Sequence, residues 1–348
     1  MMKMTNNLLL WYNSNARDLP WRQNPNPFYI YLSEIILQQT RIEQGLAYYH
    51  RFIERFPTIT DLANAEQEEV LKLWQGLGYY SRARNLFKAA QIIRDSNRGT
   101  FPTTYKALLK LPGVGPYTAA AIASTAFGEV VPAVDGNVKR VVARFFSLTD
   151  SIDDTATIRQ ISTLLDQYIS KKEPGNFNQA MMDLGALICK PRNPLCSECP
   201  IAEQCIAHKE NRTSELPVRT KKTKVRNRFF YYFVLIQNNH TVLNERTDKD
   251  IWQGLYEFPL LESEMQLTEE QVINYLKKHY LNDQKKVSTI SFTAPVKHIL
   301  SHQIIMAQFI IVKSASNFVI SLPTPLQDVS KYPVSRLVDR FIQSSGLF

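Results

Sequence analysis

All four cysteines of this 348-residue chain fall within seventeen consecutive positions, as Cys189, Cys196, Cys199 and Cys205 in a C-x6-C-x2-C-x5-C pattern. Four thiols packed into so short a segment tie the backbone to a common centre or into two disulfides. Either outcome constrains the fold more than composition does. Thiolates at this density can surround tetrahedral zinc or an iron–sulfur cluster. Zinc sites usually present two close pairs, whereas here one C-x2-C has longer spacers on both sides, which favours a [4Fe–4S] cluster. Disulfides belong to oxidising compartments. The Leu8–Tyr12 apolar patch has neither the length nor the cleavage pattern of a secretory signal, so a reducing interior is expected.

The length favours two domains over one core. With 44% hydrophobic and 21% charged residues the composition is that of a globular protein, and no apolar run approaches the roughly 20 residues that span a bilayer. The net charge is +9, and it is unevenly placed. Residues 207–228 hold 8 basic and 2 acidic side chains, including Lys221, Lys222, Lys224, Arg226 and Arg228. Such a concentration fits a polyanion such as nucleic acid, or a solvated linker.

Residues 1–206 read as helical. Phe28, Tyr31, Leu32, Ile35 and Ile36 recur with helical period, as do Val70, Leu73, Trp74 and Leu77 up to a stop at Gly76 or Gly78. Ser81 opens a further helix that closes near Gly99, a short one around Leu108 ends at Leu111-Pro112, and Pro116 starts another through Phe127. The pattern changes after the basic stretch. Phe229–Gln237 and Gln303–Lys313 read as strands, with Asn238-Asn239 turning into a strand near Thr241–Glu245. Thr268 and Gln271 fit a capping box for a helix reaching about Tyr280, and Val334, Leu337, Val338 and Phe341 suggest a last helix.

Three segments carry chemistry. Leu111–Thr118 joins two helices through Gly113 and Gly115, the arrangement of a helix-hairpin-helix that grips a phosphate backbone, or of an ordinary tight turn. Asp135 precedes a helical pattern running through Val142 and Phe145; it is a cap, and it can also serve as a carboxylate held ionised by the helix N-terminus. Glu34 is the only charged residue between Gln23 and Thr40. It marks either a polar edge or a desolvated acid able to donate a proton near neutral pH. Two carboxylates in different environments form the kit for cleaving a glycosidic bond. With a grip on DNA, the expected substrate is a nucleoside in DNA.

Ser33–Thr40, Leu111–Thr118, Val134–Val138 and the four cysteines, together with Trp74-Gln75-Gly76-Leu77-Gly78-Tyr79-Tyr80-Ser81-Arg82 and Trp252-Gln253-Gly254-Leu255-Tyr256-Glu257-Phe258-Pro259, resemble the MutY family of adenine DNA glycosylases. The likeness covers nearly the whole chain. It implies a mainly α helix-hairpin-helix glycosylase domain over 1–206 with a [4Fe–4S] loop at 189–205, a basic connector over 207–228, and an α/β Nudix-like domain over 229–348 that recognises 8-oxoguanine. The implied partner is double-stranded DNA with adenine opposite 8-oxoguanine or guanine. A monomer in a bacterial cytoplasm, associated with the nucleoid and not with a membrane, is the expected setting.

The resemblance also assigns roles. Glu34 would protonate adenine and later help activate water, Asp135 would stabilise the cationic sugar, Asn137 would orient the site and Tyr117 would support the catalytic groups. DNA contact would fall to Arg22, Gln39, Thr40, Leu77, Tyr79, Gly113, Gly115, Ser301 and His302. Leu300 stands where the family usually has Phe. Endonuclease III-like relatives carry a lysine where this chain has Tyr117, and a phenol cannot form a Schiff base, so a monofunctional glycosylase is expected. Six positions after Gly254 comes Leu260 and not the glutamate of a Nudix hydrolase box, so diphosphate hydrolysis is not expected. Two alternatives stand beside this reading. A pyrimidine-specific enzyme of the endonuclease III type would lack the second domain, and a non-catalytic iron–sulfur DNA-binding protein would need neither Glu34 nor Asp135.

Overall fold

Asn26 and Pro27 open the helix that carries Glu34. The Asn26 side chain accepts a hydrogen bond from the Phe28 N–H, and Pro27 supplies the fixed φ of a first helical position. The computed structural model describes residues 2–220, 225–281, 287–314, 318 and 323–348. By internal contacts they form two units, one of residues 1–64 and 85–221 and the other of 65–84 and 222–348.

The first unit is helical. Helix Pro27–Leu37 packs on helix Pro116–Phe127, and helix Gly136–Phe145 packs on helix Pro174–Leu187. The core includes Leu8, Val138, Val142, Ile161, Phe177, Ala180 and Leu184, all buried. Each of these side chains larger than alanine contributes roughly 1.5–3 kcal/mol by leaving water. Cys189, Cys199 and Cys205 pack against the same core. Gly185 lets the last helix approach closely, because a Cβ there would lie 2.6 Å from Cβ of Asn137.

The second unit is α/β. Its strands are β1 (Arg226–Ile236), β2 (His240–Val242), β3 (Asn244–Glu245), β4 (Tyr256–Glu257), β5 (Leu260–Ser263), β6 (Val287–Phe292), β7 (Val296–Ile299), β8 (Gln303–Ser314) and β9 (Pro323–Pro325). The main sheet runs β5-β1-β8-β6, with β7 also pairing β8. β1 and β8 are parallel, from Arg226 opposite Gln303 to Ile236 opposite Lys313, and the other pairs are antiparallel. Side chains alternate between the two faces of a strand. Tyr231, Phe233, Leu235, Ile310 and Val312 therefore meet Val272 and Leu276 of helix Glu269–Tyr280 on one face. On the other, Phe309 stacks on Phe341 of helix Arg336–Ser345 with ring centroids 3.9 Å apart. The capping box of Thr268 and Gln271 is present.

Two boundaries differ from the sequence expectation. Residues 65–84 group with the second unit, because Lys72, Gln75, Tyr80 and Arg84 hydrogen-bond to residues between 253 and 339. The basic stretch 207–228 is not one open linker. Leu216 is buried, its carbonyl accepts from the buried Arg144, and the Val218 carbonyl accepts from the Ile152 N–H. Arg226–Arg228 start β1, where Arg228 is buried against Asp250 and Glu262. Lys221, Lys222 and Lys224 lie outside the described residues. Among the described residues no helix is long and apolar enough to cross a membrane.

Candidate active site and nucleic-acid interface

Helix Pro27–Leu37 buries almost every residue from Phe28 to Ile36, Glu34 among them at 9% exposure. The Tyr117 hydroxyl donates to Glu34 Oε2 at 2.8 Å and lies 3.3 Å from Sδ of Met182. Burial pushes the Glu34 carboxyl up to about 7; the Tyr117 hydrogen bond pulls it back, the Asp135 charge raises it, and the Arg22 charge lowers it. A carboxyl at that value holds a proton near neutral pH and can give it away, which is what a general acid requires.

Asp135 caps helix Gly136–Phe145. Its Oδ1 accepts from the Val138 N–H at 2.7 Å and its Oδ2 from Asn137 Nδ2 at 2.9 Å. The sequence led us to expect a carboxylate depressed by the helix N-terminus. The shift has the opposite sign: burial raises the Asp135 carboxyl above its ordinary value, and the Val138 and Asn137 donors only partly offset it. Asn137 in turn accepts from Arg140 Nη2 at 2.9 Å, and Arg140 donates to the carbonyls of Gly185 and Cys189 at 2.7 and 2.8 Å. Arg140 thus joins the Asp135 cap to the first cysteine. The sequence reading missed it, although its place three residues after Asn137 on one helix puts both on the same face.

One open cleft is lined by Glu34, Leu37, Gln38, Gln39, Gly113, Gly115, Tyr117, Asp135 and Lys139 among others. Gly113 has φ 75, and a Cβ there would stand 2.8 Å from Asn85 Cβ. Gly115 caps helix Pro116–Phe127 and faces open space. The first N–H groups of that helix have no intrahelical acceptors and suit a phosphate. Gln39 is exposed in a left-handed conformation with φ 56, and Thr40 follows it, half-buried. Arg22 stands apart from this surface. It is nearly buried, donating to Asp183 at 2.8 and 3.0 Å and to Gln179 at 2.6 Å.

The remaining residues assigned to DNA lie in the second unit. Tyr79, Ser301 and His302 line one pocket with Gly78, Tyr80, Arg84, Asp250, Trp252 and Leu300. Tyr79 is 43% exposed, Leu77 beside it is buried, and Ser301 Oγ lies 3.2 Å from His302 Nδ1.

The four cysteines line a shared pocket with Arg144, Ile188 and Leu195. The buried Arg144 guanidinium donates to Sγ of Cys189 at 3.3 Å and to the carbonyls of Lys190 and Pro191. A buried cation beside this sulfur suits a thiolate ligand. Among the described residues no three His, Cys, Asp or Glu side chains converge as a single ion requires. Four free thiols around one shared pocket are the ligand number and type that a [4Fe–4S] cluster takes.

Three family models match the chain: the HhH-GPD superfamily base excision DNA repair protein over residues 32–167, the iron-sulfur binding domain of endonuclease III over 189–205, and the NUDIX domain over 231–344. The adenine DNA glycosylase of Buchnera aphidicola subsp. Schizaphis graminum (strain Sg) is 35% identical over 297 residues, covering 85% of this chain and 84% of its own. Among solved structures, a thermostable thymine-DNA glycosylase superposes with a TM-score of 0.55 at 30% identity, covering 60% of this chain and 95% of that one. A non-covalent endonuclease III–DNA complex gives 0.52 at 27% identity, covering 60% and 94%. These two span the extent of a glycosylase domain alone, whereas the Buchnera likeness runs over most of both chains. The iron-sulfur match spans the four cysteines, so a [4Fe–4S] cluster belongs to this architecture, and Cys189, Cys196, Cys199 and Cys205 are the residues that would hold it. The chain belongs to the adenine DNA glycosylase family of base excision repair enzymes, hydrolases of N-glycosyl bonds.

Proposed function

We propose that this enzyme hydrolyses the N-glycosidic bond of adenine mispaired with 8-oxoguanine, or with guanine, in duplex DNA, and leaves the strand intact. The supporting observation is the pair of carboxyls in one cleft: the buried Glu34, protonated up to about pH 7, and the half-buried Asp135, cradled by Val138 and Asn137. The adenine leaves the helix to reach them, at the cost of its stacking. Glu34 gives its proton to N7 of adenine, the C1′–N9 bond breaks, and its electron pair departs with the base. The ionised form of Asp135 stabilises the cationic sugar. Water then adds to C1′, its proton returns to Glu34, and an abasic site remains.

Tyr117 holds the acid and Asn137 holds Asp135. Gly113 and Gly115 let the backbone near a phosphate. Gln39 and Thr40 address the strand opposite the adenine, as do the exposed Tyr79, Ser301 and His302, whereas Leu77 is buried and makes no such contact here. Arg22 acts from behind the site, through Asp183 and through its charge on Glu34. The cluster supplies no acid–base group; when bound, it fixes the 189–205 loop, whose Cys189 carbonyl anchors Arg140. The test offers duplexes with adenine opposite 8-oxoguanine, adenine opposite guanine, and a damaged pyrimidine. Adenine should be freed from the first two, fastest from the first, without strand breakage. Release of the pyrimidine, or nicking as fast as base release, would defeat this reading.

A further inference from the structure

The turn that presents Tyr79 is bent three times into the left-handed region, at Gly76 (φ 93), Gly78 (φ 80) and Tyr79 itself (φ 50). A bulky residue at positive φ is costly and persists only where its surroundings over-determine it. Here they do so on two levels. Locally, Trp74 is buried and its Nε1 donates to the Gly78 carbonyl at 3.0 Å; Arg82 Nη2 donates to the same carbonyl at 3.0 Å and its guanidinium lies over both the Trp74 and Tyr79 rings. At longer range, the turn is fastened to residues 330–339 of the same unit. Gln75 bridges by both ends of its amide. Its Nε2 donates to Asp339 Oδ1 at 3.0 Å and its Oε1 accepts from the Val334 N–H at 3.2 Å. Lys72 Nζ donates to the carbonyls of Ser330 and Tyr332 at 2.6 and 3.0 Å, and to Gln75 Oε1 at 3.2 Å. Tyr80 accepts from the Gly76 N–H at 3.1 Å and donates to the Val334 carbonyl at 3.3 Å. Asp339 is further held by Arg336 and Gln343.

We propose that Gln75, with Lys72, is a positioning residue for recognition of the base opposite the adenine: it clamps the Trp74–Arg82 turn so that Tyr79 stands on the pocket wall it shares with Ser301 and His302. Neither residue is among those lining that pocket. The clamp acts through Tyr79, and it rests on the proposed reading of Tyr79 as a lesion contact. It makes lesion preference depend on hydrogen bonds to a segment some 260 positions away in sequence.

A double-mutant cycle tests it, read as the single-turnover rate of adenine release opposite 8-oxoguanine divided by that opposite guanine. Gln75→Ala is expected to lower this ratio about tenfold, and to change it less than about twofold further once Tyr79→Ala is present, as coupled residues do. An unchanged ratio in Gln75→Ala, or an equal loss with and without Tyr79, would overturn the clamp. A wild-type preference that survives Tyr79→Ala intact would instead remove the lesion reading of Tyr79, and the clamp's role with it, whatever Gln75→Ala does. If Gln75→Ala does not fold, Lys72→Met enters the same cycle with the same expectation and the same two overturning results.

Discussion

Glu34 and Asp183 are both buried acids of the first unit, and they are opposites. Asp183 is fully buried and meets two guanidinium groups: Arg17 Nε at 3.0 Å, and Arg22 at 2.8 and 3.0 Å. Burial pushes its carboxyl up, but the hydrogen bonds and charges of Arg22 and Arg17 prevail and leave it below the ordinary range. Glu34 receives a phenol and, among the described residues, no cation in contact, so burial prevails and its carboxyl rises to about 7. Burial alone therefore does not make an acid catalyst. A buried carboxylate with a bonded cation is a structural anion; one with only a neutral donor keeps a proton to give.

The largest effect expected from breaking this contrast is in Glu34→Gln. An amide fills nearly the same space and can still accept from Tyr117, but it has no transferable proton. Single-turnover adenine release should fall by about 10²–10⁴-fold, the usual worth of a positioned general acid. Binding of the mispaired duplex, followed by fluorescence anisotropy, should persist. Release at the wild-type rate would take Glu34 out of the acid role.

Asp183→Asn attacks the other member. It leaves the nearly buried Arg22 charge, and the half-buried Arg17 charge, against a neutral partner, and breaking a buried pair in this way typically costs about 3–5 kcal/mol. The measurement is the urea midpoint at pH 7. A midpoint within error of wild type would show that Asp183 is not the structural anion described here. The two acids also have opposite pH signatures. Asp183 has a depressed native pKa, so its stabilisation is present above its unfolded value of 3.8 and is lost as pH falls. Glu34 has a raised native pKa, so the native state takes up the proton preferentially. Its contribution is full below the unfolded value of 4.5 and is lost as pH rises through about 7. Wild type should therefore lose stability relative to Glu34→Gln across that window, and a flat difference would refute the raised value.

Only the Glu34 side of this contrast was legible in the sequence, and the limits have physical causes. Glu34 stood out because it interrupts an apolar helix, and Asp135 because it precedes a helical pattern; Pro116, Ser81 and the Thr268–Gln271 pair likewise mark helix starts through local chemistry. The partners were not legible. Tyr117 and Glu34 meet across 83 positions, Arg22 and Asp183 across 161, and periodicity does not encode which buried groups will face each other. The sign of the Asp135 shift was missed for the same reason, since a cap is a local feature while the burial that outweighs it comes from distant elements. The short β4, β5 and β7 escaped because two to four residues carry too little alternation. Residues 65–84 lie within the HhH-GPD match, yet by contacts they group with the second unit, partly through carbonyls at 330 and 332 that any residue type could present.

The smallest change that still sharpens the contrast is Tyr117→Phe. It removes the one oxygen that donates to Glu34 Oε2 and leaves the ring in place. The lost hydrogen bond is one of the influences that lower the Glu34 carboxyl, so without it burial acts less opposed and the carboxyl should rise further. A hydrogen bond to a charged group contributes roughly 1.5–3 kcal/mol against roughly 0.5–1.5 for a neutral one, so the phenol favours the carboxylate by about 1 kcal/mol, and 1.36 kcal/mol corresponds to about one pKa unit. The alkaline limb of the pH–rate profile should then move upward by up to about one unit. The maximal rate should drop by no more than about tenfold, because the acid itself remains and only its orientation loosens. A limb that moves downward would mean that the phenol stabilises the protonated acid and not the carboxylate, and the neutral donor that separates Glu34 from Asp183 would then be acting in the reverse sense.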